Sequence, residues 1–293
     1  LFLNDQVDIN NQAKLFAGLR VMQMRQKAYD VTAGNAYAEL NKWWVLPQLG
    51  LSYSLTPKIT NYISYSEGVE PGTIALVDSF TNQSVMPPKK TQQYEMGSKY
   101  AINPDSLLTF ALFQMKRPNE FALYDTTTND GRYKLYQEGT VTNRGVEVSL
   151  AQKLTNRLNL LASAMYLRAD QSGAVTDPTQ NGKQAIGIPH WRSIVNADYL
   201  IPNYERLSVQ GSWTYSSGKP IDLQNTMQAP SYNKFDAGLK YLDRVGKSQA
   251  TYRLFVENVF NKFYWRDVSQ SFGANMLYPG APRIMRATAT FDF

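Results

Sequence analysis

Over the final stretch Arg283 to Phe293 (RIMRATATFDF), Met285, Ala287, Ala289, Phe291 and Phe293 alternate with Arg286, Thr288, Thr290 and Asp292. Successive side chains on a strand point to opposite faces, so this spacing writes one apolar and one polar face. The same period recurs in RLSVQGSWTYS, where Leu207, Val209, Trp213 and Tyr215 oppose Ser208, Gln210, Ser212 and Thr214. It recurs again in GVEVSL, with Val146, Val148 and Leu150 against Glu147 and Ser149, and in QYEMGSKY, with Tyr94, Met96 and Tyr100 against Glu95 and Lys99. About thirteen segments of this kind can be marked. They lie near residues 1–9, 14–29, 43–55, 59–68, 91–101, 107–124, 132–152, 157–169, 190–199, 206–215, 233–242, 249–262 and 283–293. A strand of about ten residues with one apolar and one polar face is the unit of a transmembrane β-barrel. The pattern therefore predicts an all-β, antiparallel transmembrane barrel wall.

The connections support that reading. Short ones at residues 10–12, 56–58, 102–106, 153–156, 201–205 and 243–248 are rich in Asn, Asp, Pro and Lys, the residues that close tight turns. Between them fall longer segments at 31–42, 69–90, 125–131, 170–189, 216–232 and 263–282. Outer-membrane barrels sort their connections in this way, with tight periplasmic turns and extended extracellular loops. Counting back from a periplasmic C-terminus puts all the longer segments outside the cell. No linker or charge block divides the chain.

Composition narrows the chemistry. Cysteine is absent and histidine occurs once, at His190, as a strand-entry residue, which leaves little scope for zinc ligation or a histidine-based triad. An outer-membrane enzyme finds no supporting Ser or Asp motif. The net charge of +6 is spread along the chain, without the basic run that marks nucleic-acid binding. No apolar stretch approaches the roughly 18 residues of a membrane helix. The chain opens on LFLNDQVDI, already alternating, and reads as cut from something larger. A soluble binding sandwich is the competing fold.

Near the C-terminus, YRLFVENVFNKFY (Tyr252 to Tyr264), a long loop and then PGAPRIMRATATFDF resemble the end of TonB-dependent outer-membrane receptors of the siderophore type. Further matches follow in family order: YISYSEGVEPG at 62–72, TQQYEMGSKY at 91–100, TVTNRGVEVSL at 140–150 and IPHWRSIVNADY at 188–199. Within these, Asn258 and Asn261 are placed to satisfy backbone groups where a strand turns irregular. Tyr264 and Trp265 sit where an aromatic belt is expected. Gly145 is read as leaving room on the lumen face for something packed inside.

The resemblance implies a barrel of about 22 strands enclosing an N-terminal plug. Residues 1–293 would form its C-terminal portion, about 13 strands, without the plug and the first strands. It implies a transporter that takes up a ferric siderophore when the TonB complex acts through that plug, with iron present only as the chelate. The same resemblance implies contact with outer-membrane lipid, lipopolysaccharide and the barrel assembly machinery, which would read the terminal aromatics Phe291 and Phe293. Among the loops, Trp43, Trp44, Trp265, Phe272 and Tyr278 are candidates to enclose a bulky chelate, with Lys219, Arg266 and Arg283 to attract an anionic one. Alternative readings keep the barrel but change the cargo to cobalamin, haem or a sugar, or make it a passive porin.

Overall fold

The structure, a computed structural model, describes all residues except 31, 77, 83, 129, 247, 272, 273 and 293. Thirteen strands form one sheet: β1 (Phe2–Asp8), β2 (Ala13–Tyr29), β3 (Ala36–Thr56), β4 (Ile59–Glu70), β5 (Lys89–Asn103), β6 (Ser106–Tyr124), β7 (Tyr133–Lys153), β8 (Leu158–Ser172), β9 (Trp191–Leu200), β10 (Leu207–Ser216), β13 (Tyr232–Val245), β14 (Ser248–Glu257) and β17 (Ile284–Asp292). They follow one another in chain order and every pair is antiparallel. Two small hairpins stand apart from the sheet, β11 (Lys219–Pro220) with β12 (Gln228–Ala229) and β15 (Trp265–Ser271) with β16 (Ala274–Pro279).

At the short-turn end, side-chain oxygens close the backbone. Asn10 Oδ1 accepts from the amides of Gln12 and Ala13, Thr56 Oγ1 from those of Lys58 and Ile59, and Thr155 Oγ1 from those of Arg157 and Leu158. Such local bonds substitute for the ladder that the turn interrupts.

The register confirms two faces. One carries the rung Leu51, Ile63, Met96, Leu112, Val146 and Tyr166, and further along Val209, Leu239, Leu254 and Ala287. Ile63, Met96, Leu112 and Leu254 are all exposed. Among the described residues no second layer covers this face. Each large side chain left there in water would forfeit about 1.5–3 kcal/mol of burial, which excludes the soluble sandwich and makes this the lipid side.

The opposite face is polar. Tyr62 donates to Glu95 at 2.6 Å, and Lys240 and Gln210 both reach Asp198, at 2.7 and 2.8 Å. Four aromatic rings on this face sit directly across from glycines: Phe16 from Gly50, Tyr62 from Gly97, Phe113 from Gly145 and Phe255 from Gly238. A Cβ on Gly145 would lie 2.5 Å from Phe113 Cζ. The room anticipated at Gly145 is therefore filled from within the wall, by the ring of the neighbouring strand.

Two strand boundaries and the content of two long segments differ from the sequence pattern. β3 begins at Ala36 and not near 43, which shrinks the loop anticipated at 31–42 to the turn after Tyr29. Its polar residues pair across the hairpin instead: Gln23 with Asn41, and Arg25 and Lys27 with Glu39. At about 3.3 Å per residue, such long strands rise well beyond a hydrocarbon layer of about 30 Å, where ion pairs replace lipid contacts. The strand anticipated to 262 stops at Glu257, because Asn258 and Asn261 take positive φ, 52° and 49°. The long segments at 216–232 and 263–282 are not structureless but carry the two small hairpins.

Candidate functional site

The buried apolar clusters lie at the long-loop end, where connections fold back onto the wall. Ala75 and Phe80, in the segment after β4, pack on Ala122 and Leu135 of β6 and β7. Asn82 fixes that contact from both sides, donating to Leu135 O at 2.7 Å and accepting from its amide at 3.0 Å. Ala174 and Leu223, from the segments after β8 and after β11, pack on Phe121 of β6, while Ala185 packs on Val141 and Ala169. Asp222 ties its own turn through the amides of Thr226 and Met227.

Between these segments and the wall lies an open cavity of about 550 Å³, within the range of small-molecule sites. Arg117, Asn119 and Glu120 of β6, Val141 of β7 and Gln171 of β8 form its floor, and Val268, Ser269 and Gln270 of β15 border it from the hairpin. A bulge between Pro118 and Glu120 interrupts the β6–β7 ladder. Proline lacks the amide that a ladder needs. At this bulge the Asn119 side-chain amide donates to Gln180 Oε1 at 2.8 Å. Gln180 is fully buried, and its Nε2 has no partner among the described residues.

Glu120 is committed, receiving Gln137 at 3.4 Å, the Thr73 hydroxyl and Lys89 at 3.6 Å. Arg117 is half-buried and has no hydrogen-bond or ion-pair partner among the described residues.

The residues anticipated from the sequence are dispersed. Trp43 and Trp44 belong to β3 and point to opposite faces, so they do not enclose one ligand together. Trp43 stands outward, 63% exposed, and Trp44 lies on the inner side beneath the Lys42 ammonium, 4.6 Å from its ring. Trp265, Arg266 and Tyr278 come together on the β15–β16 hairpin, with Trp265 edge-on to Phe263 at 5.0 Å and Tyr278 accepting from Ser269 Oγ at 3.3 Å. Phe272 and Phe293 lie outside the described residues. Phe291 is on the lipid face of β17, opposite Ala250.

Arg283 serves the turn after β14, its amide donating to Asn261 Oδ1 at 2.9 Å and its guanidinium to Val259 O at 3.4 Å. Lys219 is buried and donates to Arg266 O, its ammonium pKa lowered by desolvation. It is therefore the post on which the hairpin rests and not an exposed attractor of anions. Tyr264, anticipated in an aromatic belt, is buried against Tyr232 at 4.3 Å, with Gly280 allowing the close approach. His190 enters β9 as expected, its Nδ1 2.9 Å from Leu167 O.

Arg117 and Asn119 escaped sequence reasoning because they lie within a strand and not a loop, and Gln171 and Val268, in segments anticipated as loops, because neither is aromatic or charged. Pro118 within an otherwise regular strand was the one available signal of the bulge.

Residues 1–261 match the family described as TonB dependent receptor-like, beta-barrel. The chain is 27% identical over 299 aligned positions to the ferrichrome receptor FcuA of Yersinia enterocolitica, covering all of this chain and 38% of that protein. It is 28% identical to the ferrichrome outer membrane transporter/phage receptor of Escherichia coli K12, covering 83% of this chain and 31% of that one. Among solved structures, BauA, the ferric preacinetobactin receptor of Acinetobacter baumannii, superposes with a TM-score of 0.78 at 25% identity, over all of this chain and 42% of its own. The chain thus spans less than half the length of these relatives. With its one-sided apolar sheet, its sorted connections and this match along most of its length, the chain belongs to the TonB-dependent receptor β-barrel family of the Gram-negative outer membrane.

Proposed function

We propose that the chain is the C-terminal portion of the barrel of an outer-membrane transporter that takes up a ferric siderophore, with iron carried only as the chelate. The observation that carries this is the cavity on the inner wall, bordered by loops and by the β15–β16 hairpin, at the end where the family's cargo enters. The relatives named as ferrichrome and ferric preacinetobactin receptors support it. β1 and β17 each pair with one neighbour and not with each other, which suits a wall completed by further strands. The TonB complex would act through a plug outside this sequence.

The remaining partners follow from the outer face. Directly above the apolar rung, the outward rows carry Lys90, Lys116, Arg144 and Arg168, with Glu67 and Asp170 among them. A cationic row just beyond the lipid boundary fits lipopolysaccharide phosphates. Phe291 and Phe293 are the residues that the assembly machinery would read. Trp265, Tyr278 and Arg266 remain the hairpin's contribution to cargo capture.

The test is uptake of radioactive iron by cells whose only siderophore receptor is the intact protein, offered a panel of ferric chelates. Uptake that requires an energised TonB system supports transport, and Trp265→Ala or Tyr278→Ala should weaken cargo binding several-fold, since one stacking contact is worth about 1 kcal/mol. Absence of uptake for every ferric chelate, with a barrel assembled at normal levels, would reject it.

A further inference from the structure

The charges lining the cavity are few and specific. Among the described residues, only Arg117 and Glu120 of its lining are charged. Glu120 is neutralised by Lys89 at 3.6 Å and saturated by Thr73 and Gln137. Arg117 faces the same space with its guanidinium uncommitted among the described residues. A half-buried cation without a partner is costly unless something supplies one, and a planar guanidinium is built to grip an oxygen pair. The rest of the polar lining is amide and hydroxyl: Asn119, Gln171, Ser269, Gln270 and Thr73. Phe80, Phe121, Val141 and Val268 add the apolar surface.

Resting on the transport reading above, we infer that Arg117 anchors the cargo and that this wall selects a ferric chelate of zero or single negative charge with amide and carbonyl groups on its periphery. A ferric tris-hydroxamate has this character, because three monoanionic ligands cancel the charge of ferric iron. A ferric tris-catecholate is trianionic. Among the described residues it would meet one uncommitted cation, Arg117, and its surplus charge would be desolvated without compensation. Arg117 grips peripheral carbonyl oxygens of a neutral chelate, or the one carboxylate of a singly negative chelate, and Gln270 of the hairpin faces its remaining polar edge.

The experiment uses the intact receptor in detergent and follows quenching of its tryptophan fluorescence by a ferric tris-hydroxamate and by a ferric tris-catecholate. The wild type should bind the hydroxamate at least about tenfold more tightly; Arg117→Ala should lose about tenfold in hydroxamate affinity and Arg117→Lys should recover part of it, in line with one charge-assisted hydrogen bond. Gln171→Lys, which adds a second cation to the floor, should move the preference toward the catecholate. Equal or tighter wild-type binding of the catecholate overturns the selectivity. Unchanged hydroxamate affinity in Arg117→Ala overturns the anchor. If neither chelate binds and no ferric chelate is taken up by cells, the transport reading itself has failed.

Discussion

Phe255 on β14 occupies the space that any side chain on Gly238 of β13 would need: a Cβ there would lie 2.4 Å from Phe255 Cδ2. The two residues are direct cross-strand partners on the lumen side, and the ring covers the bare backbone of its neighbour. Introducing one methyl by Gly238→Ala should cost about 1–3 kcal/mol through overpacking. Urea unfolding of the intact receptor in detergent measures it. Adding Phe255→Leu should recover part of the loss, and a double variant no better than the single one would show that the ring is not the obstacle.

The absence of cysteine permits clean single-cysteine mapping of the two faces. Cysteines at Leu207, Val209, Trp213 and Phe291 should react with a lipid-partitioning reagent, and those at Ser208, Gln210, Thr288 and Thr290 with a water-soluble one. The register of β10 with β13 and of β14 with β17 places these sets on opposite sides. Equal labelling of the two sets by both reagents would contradict the orientation.

Asn258 ends β14 at a φ of 52° and holds the following turn together. Its side chain donates to Lys262 O at 2.9 Å and Ala281 O at 3.0 Å, and accepts from the Lys262 amide at 2.8 Å. Asn258→Ala adds left-handed strain and removes all three bonds, for a cost of about 2–4 kcal/mol. Asn258→Gly removes the bonds alone and should be the milder of the two. Proteolysis of residues 258–283 in both variants tests the order, and a glycine variant as sensitive as the alanine one would show that backbone strain adds nothing.

Above the membrane, Asp125 ties the segment after β4 to the β6–β7 turn. Its carboxylate accepts from the Thr127 hydroxyl at 2.6 Å, the Thr81 hydroxyl and the Thr127 amide at 3.0 Å. These donors hold its pKa down at about 2, against an ordinary 3.8. A depressed carboxyl pKa gives stability that is complete above the unfolded value and lost as pH falls through the folded one. Pepsin cleavage of these loops should therefore rise as pH drops from about 4 to about 2. Asp125→Asn should show loosened loops throughout that range with the pH dependence flattened, and an unchanged profile would remove Asp125 as the cause.

Strand identity was legible because lipid on one side and water on the other impose a period of two, as in Leu207 to Tyr215 and Met285 to Phe291. Asn, Asp, Pro and Lys marked the short turns, and in the structure Asn10, Thr56 and Thr155 close them by accepting from nearby amides. Polar residues that pair across a hairpin look like loop residues one strand at a time, so the start of β3 was hidden until Arg25 and Glu39 met.

The alternation and turn chemistry written in the chain determine by themselves an antiparallel, one-sided sheet and its orientation, since each strand need only sort its side chains between two solvents. What only the tertiary structure decided is the wall's company: which ring covers which glycine, that Lys219 supports a hairpin, that Arg283 holds a turn, and that Arg117 faces the cavity. Those outcomes depend on segments distant in sequence folding onto one end of the sheet, where burial and partner geometry set each side chain's role, and no local period records them.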